Sequence, residues 1–131
     1  MNERYDHCFV CGKSNPIGWK LEFSYDSEGH AYTVVEISEN YAGYPGVVHG
    51  GVISTLLDEV MAKAVMHSGK IAYTAKLQLR YRMPLPVEQE VQAEGWIEEA
   101  KSRSLKTKAL LYGSEGLYAE AEAIFMVPPN A

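Results

Sequence analysis

The amino-acid sequence predicts an α+β fold in which a curved antiparallel sheet of five or six strands wraps one long central helix. Three observations predict it. From Gly50 to about His67, apolar residues recur at three- and four-residue steps (Ile53, Leu56, Leu57, Val60, Met61, Ala64, Val65), the spacing of one strongly apolar helix. The segments on both sides are instead rich in β-formers or alternate at a period of two. A helix apolar around most of its circumference must be covered, and a sheet is the partner this sequence offers.

Taken in order, Leu21–Tyr25 and Ala31–Ile37 are two extended stretches separated by Asp26-Ser27-Glu28-Gly29, turn residues that predict a hairpin. The glycines and proline of Tyr41-Ala42-Gly43-Tyr44-Pro45-Gly46 then favour a loop before the helix. Ser68-Gly69 is a plausible helix stop. From Ile71 to Arg82 odd positions are apolar or aromatic, and even ones from Thr74 on are polar, so the strand should bury one face and present the other. Pro84 and Pro86, which lack a donor for a strand ladder, end it. Val91–Ile97 and Ser104–Tyr112 give two more strands. After the turn Gly113-Ser114-Glu115-Gly116, Leu117–Phe125 gives the last: its alanines favour a helix by propensity, but its period is two.

A chain of 131 residues with 47% hydrophobic and 22% charged side chains has room for one ordinary domain, read here as residues 1–131 with 1–19 as a leader packed on it. The net charge of −5 argues against nucleic acid as a partner, because such proteins present a broad basic face. No stretch approaches the roughly 18 apolar residues of a membrane span, and the opening residues 1–7 are polar and mixed in sign, so a cytoplasmic location is expected. Cys8 and Cys11 are too few for a disulfide framework. They invite a metal reading with His7 as third ligand and His30 or a partner subunit completing the set, but a closed structural site needs four ligands and no second cysteine pair exists, which favours a tucked leader with two packed thiols. No metal and no cofactor are therefore expected.

The chemistry concentrates where Gly43-Tyr44-Pro45-Gly46-Val47-Val48-His49-Gly50-Gly51 enters the helix. A helix start carries unpaired N–H groups and about half a positive charge, and with no side chains at Gly50 and Gly51 a ligand carbonyl can approach them. Such a site can stabilise an oxyanion. Asp58, well inside the helix, is a poor mid-helix residue. Either it lies on a solvated edge with Glu59, or it is held beside an electrophile as general base or nucleophile. His49 either packs and caps the helix or contacts the ligand. Gly113-Ser114 lacks the strand-to-helix setting of a serine nucleophile.

His49-Gly50-Gly51 followed by Leu57-Asp58-Glu59, the alternating strand Thr74–Tyr81 and Met83-Pro84-Leu85-Pro86 resembles the hotdog-fold acyl-CoA thioesterases of the phenylacetate-degradation type. The opening His7-Cys8-Phe9-Val10-Cys11-Gly12 resembles the leader of one branch of that superfamily. The resemblance implies a hydrolase acting on a small or medium acyl-CoA. It implies homodimers, or pairs of dimers, whose sheets join edge to edge with the sites at the subunit interface. It implies catalytic roles for Gly50 as oxyanion donor, Asp58 as base or nucleophile, Thr74 as the hydroxyl that orients water, and His49 at the loop. Gly51, Glu59 and Tyr73 would adjoin the substrate, with Tyr44, Met61 and Val65 beside the acyl group. Where some members carry an asparagine six residues before the histidine, this chain has Gly43, leaving His49, Asn40 or a backbone group to substitute. Lys101, Arg103, Lys106 and Lys108 cluster as a candidate clamp for the phosphates of coenzyme A, unless they are simply a solvated face, with Arg80 and Arg82 as weaker candidates. Two other readings compete: a non-catalytic protein binding acyl-CoA or a lipid-like ligand, and a dehydratase on the same scaffold.

Overall fold

A computed structural model describes residues 6–129; residues 1–5 of the polar opening lie outside them. Strands β1 (Ser24–Tyr25), β2 (Ala31–Glu36), β3 (Tyr73–Tyr81), β4 (Glu90–Ala100), β5 (Ser104–Gly113) and β6 (Gly116–Met126) form one antiparallel sheet in the order β1-β2-β4-β5-β6-β3. Helix α1 (Gly50–His67) lies across one face, and a short 3-10 turn at Glu39–Tyr41 precedes it. Among the described residues no helix is long and apolar enough to cross a membrane.

Local chemistry explains the boundaries. The Asp26 carboxylate accepts hydrogen bonds from the Glu28 and His30 N–H groups, both at 2.9 Å, and Gly29 takes φ +84°, which closes the β1–β2 hairpin. Desolvation raises the Asp26 pKa, but those bonds together with one from the Tyr32 hydroxyl outweigh it and hold the carboxyl below its ordinary pKa. Helix α1 ends at Ser68, and Gly69 at φ +93° turns the chain away while its N–H bonds the Met66 carbonyl at 2.9 Å. The first predicted strand shrinks to two residues because Leu21 instead bonds the leader, its N–H reaching the Val10 carbonyl at 2.9 Å.

The core is the seam between α1 and the sheet. Leu56, Leu57, Val60 and Met61 are fully buried, each contributing about 1.5–3 kcal/mol of transfer free energy. The residues opposite are small: Ala93 on β4, Ala109 on β5, and Ala119, Ala121 and Ala123 on β6 are all buried. This is what the alanines of the last strand are for. They keep the sheet surface low, so the helix backbone can come close. The approach is tightest at Gly95, where an added Cβ would lie 2.7 Å from the Val60 carbonyl oxygen. Gly95→Ala is expected to destabilise the protein by about 2–3 kcal/mol, read as a lower midpoint in urea, because backbone rather than a flexible side chain must yield.

One expectation fails in an informative way. The apolar positions of β3 are not buried within the chain: Tyr73 is 67% exposed, Tyr81 52% and Leu77 36%. The reason is position. β3 pairs with β6 on one side and forms an edge of the sheet on the other.

Candidate active site

Two short bonds fix the loop before the helix, from the Val48 N–H to the Leu85 carbonyl at 2.8 Å and from the His49 N–H to the Tyr41 carbonyl at 2.9 Å. His49 is then the N-cap. Its backbone is extended, and its Nδ1 accepts the Gly51 N–H at 2.8 Å, which requires the neutral tautomer with hydrogen on Nε2. The His49 carbonyl accepts from the Val52 and Ile53 N–H groups at 3.0 and 3.2 Å. This corrects the expectation of two approachable donors, since the Gly51 N–H is already taken. The Gly50 N–H has no partner among the described residues. The Tyr81 hydroxyl, which sequence reasoning missed, donates to the Gly50 carbonyl at 2.9 Å.

Asp58 is half-buried on α1 and accepts a 2.7 Å hydrogen bond from the Thr74 hydroxyl. Straight alternation along β3 would place Thr74 on the polar face with Lys76, Gln78 and Arg80. A bulge between Thr74 and Lys76 breaks that alternation: Thr74 pairs with buried Phe125, whereas Lys76 pairs with Ile124 and Leu77 with buried Ala123. The bulge at Ala75 therefore turns Thr74 to the helix side and leaves Tyr73, paired with Met126, on the opposite face.

Asp58 and Gly50 lie on one helix eight residues apart, about 12 Å along its axis, too far to touch one carbonyl group from within one chain. Glu59 does not join them. It faces the leader, where its Oε2 lies 3.7 Å from the Cys8 Sγ and 3.9 Å from the Lys63 Nζ. Lys63 is only 5% exposed and lies over the Phe23 ring. Burial disfavours its charge, but hydrogen bonding to Cys11 and the neighbouring acidic groups outweigh burial and raise its pKa. Burial pushes the Cys11 thiol up to about 12.

The remaining candidates are scattered. Lys101 and Arg103 lie in the β4–β5 turn, bound to residues beyond the helix C-terminus and after β6: the Lys70 Nζ donates to the Lys101 carbonyl at 3.3 Å and the Arg103 guanidinium to the Val127 carbonyl at 3.4 Å. Lys106 pairs in register with Ile124 and Lys108 with Glu122, on the sheet face opposite α1. Arg80 shares that face, in a depression of about 560 Å³ with Trp96, Lys108, Glu120 and Glu122. Lys106 and Lys108 thus share the outer sheet face, and Lys101 and Arg103 sit in the turn that leads into it. Arg82 is paired with Glu120 at 3.0 Å. Met61 and Val65 are sealed in the core, and Tyr44 is 84% exposed, so the four residues expected around an acyl group line no common channel within one chain. The asparagine position is filled differently, too. A Cβ on Gly43 would meet the His49 Cα at 3.2 Å, so this glycine lets the capping histidine sit down on the loop.

A long helix laid across one face of a six-stranded antiparallel sheet is the hotdog architecture. Residues 45–119 match the family model of the thioesterase superfamily, and the chain belongs to that superfamily. It is similar to acyl-coenzyme A thioesterase THEM4 of Mus musculus, with 31% identity over 86 residues, 64% of this chain and 37% of the relative. The chain thus spans little more than a third of the length of that relative. Among solved structures, a thioesterase superfamily protein superposes with a TM-score of 0.86 at 30% identity, covering 92% of this chain and 63% of its own. A hypothetical thioesterase from Streptococcus pneumoniae, solved with coenzyme A, superposes with a TM-score of 0.77 at 18% identity, covering 82% and 85%. Forms of that protein with a threonine or an aspartate replaced by alanine have also been solved.

Proposed function

We propose that this protein hydrolyses small or medium acyl-CoA thioesters in a site shared by two copies of the chain. The observation that carries the proposal is the placement of β3. It is an exposed edge strand whose Thr74 end adjoins Asp58 and whose Tyr81 end adjoins Gly50. Antiparallel pairing of two such edges about a dyad near Leu77 and Gln78 sets Thr74 opposite the partner subunit's Tyr81. Asp58 of one chain then approaches Gly50 of the other, across the gap that neither chain closes alone. The replaced aspartate and threonine of the Streptococcus pneumoniae protein are separated by 16 positions, the separation of Asp58 and Thr74, which supports the pairing of roles.

In this site the Gly50 N–H, backed by the helix dipole, receives the thioester oxygen as it gains charge. Asp58 either removes a proton from water as the water attacks the carbonyl carbon or attacks that carbon itself. The Thr74 hydroxyl holds the carboxylate in place. Collapse of the tetrahedral intermediate breaks the C–S bond and expels the coenzyme A thiolate, which takes up a proton. Label found in Asp58 after a single turnover in ¹⁸O-water identifies attack by Asp58, with water opening the resulting mixed anhydride at the aspartyl carbon, whereas general-base attack puts the label in the acid product alone. His49 and Gly51 act as the cap that fixes the helix start, and coenzyme A phosphates meet basic side chains across the interface.

The direct test is thiol release from a panel of acyl-CoA esters. Turnover of at least one ester supports the reading, and tight binding of coenzyme A with no turnover of any overturns it in favour of a ligand-binding protein. Leu77→Lys puts a charge at the centre of the proposed seam and is expected to shift the protein to monomer in sedimentation velocity, with loss of thiol release. A dimer that persists unchanged would move the interface elsewhere.

A further inference from the structure

We propose that Cys8, Cys11 and Glu59 form a binding site for a soft divalent cation, of which Zn²⁺ is the natural representative. The sequence argued against a metal because only two cysteines exist. The third donor comes from α1, and no spacing rule connects it to the leader. One ligand atom from each of the three lies within 4.8 Å of the other two, and the Cys8 Sγ to Glu59 Oε2 separation is 3.7 Å. Donors held about 2.0–2.3 Å from a tetrahedral ion stand roughly 3.5–3.8 Å apart, so little movement is needed to close the set. Two thiolates and one carboxylate are a donor set suited to Zn²⁺, and a solvent oxygen completes four-coordination at partly exposed Cys8.

The leader is shaped for this. The Gly12 N–H bonds the Cys8 carbonyl at 2.8 Å, turning the chain so that both sulfurs face α1. A Cβ on Gly12 would strike the Asp6 carbonyl and the Cys8 nitrogen, so the residue after the second cysteine has to be glycine for the turn to close. Charge also balances. Without metal the cluster holds two neutral thiols and the Glu59–Lys63 ion pair. On binding, two S–H bonds break, both protons leave to solvent, and one dication replaces them with no change of oxidation state. The net charge of this half-buried cluster stays at zero, and Lys63 offsets the single negative charge of the Zn²⁺–thiolate–carboxylate centre. That gives a buried lysine beside two cysteines a purpose that packing alone does not supply.

The test uses the full chain, reduced and freed of metal, titrated with Co²⁺ and then with Zn²⁺ against a chromophoric chelator. One ion per chain, with thiolate-to-cobalt charge-transfer bands and tetrahedral ligand-field bands, is expected. Cys8→Ser and Glu59→Gln should each weaken binding by at least about tenfold. Cys11→Ser should do the same where circular dichroism shows it folded; partly exposed Cys8 supplies the variant that does not depend on the core. Wild-type affinity no greater than that of the Cys8→Ser variant, or cobalt spectra without sulfur ligation, would overturn the site. None of these readouts involves thioester turnover, so the metal proposal and the proposed activity stand or fall separately.

Discussion

Gly50→Pro is expected to lower kcat/KM for acyl-CoA hydrolysis by about 10²- to 10³-fold while leaving the fold intact. Gly50 is the first residue of α1, the helical position at which proline is best tolerated, and His49 before it already has the extended backbone (ψ 135°) that proline requires. A Cβ there meets nothing nearer than the Tyr81 hydroxyl at 3.4 Å, an ordinary contact. The substitution therefore deletes one N–H and little else. The check is steady-state thiol release beside a thermal melt. A folded variant with wild-type turnover would remove the helix start from the mechanism.

Asp58→Asn is expected to cost about 10²-fold or more in kcat, because the amide keeps the shape and still accepts the Thr74 hydroxyl but cannot take a proton or attack a carbonyl. An unchanged rate would leave Asp58 a structural partner of β3. The two variants also test the shared site together. Each is inactive for a different half, so a mixed dimer contains one site built from intact Gly50 and intact Asp58. Unfolding and refolding an equimolar mixture should restore about a quarter of wild-type activity if chains pair at random. Two complete sites within separate chains would restore nothing.

Much of the fold was legible because period reports burial. The three- and four-residue rhythm of Ile53 to Val65 marked α1 to its ends, and alternation marked β4, β5 and β6. What escaped was tertiary. Ala75 gives no chemical sign that a ladder slips there, so the facing of Thr74 was misread. Lys63 breaks the apolar rhythm of α1 yet is buried, and only the leader folding back explains it. Glu59 and Asp58 are neighbours in sequence, but about 100° of helical rotation sends one to the leader and the other to β3. His49, Gly50 and Asp58 were found as a motif, whereas Tyr81 looked like one more apolar position of an alternating strand.

The slip at Ala75 makes the placement of the Thr74 hydroxyl a matter of counting rather than of chemistry. Losing that single codon would straighten the ladder yet still set Thr74 one step from Lys76 and opposite Phe125, so the hydroxyl would keep facing the carboxylate it serves. The alanine is the extra residue that the ladder absorbs, and a deletion library is expected to find the position tolerant, whereas substitutions at Thr74 itself are not tolerated.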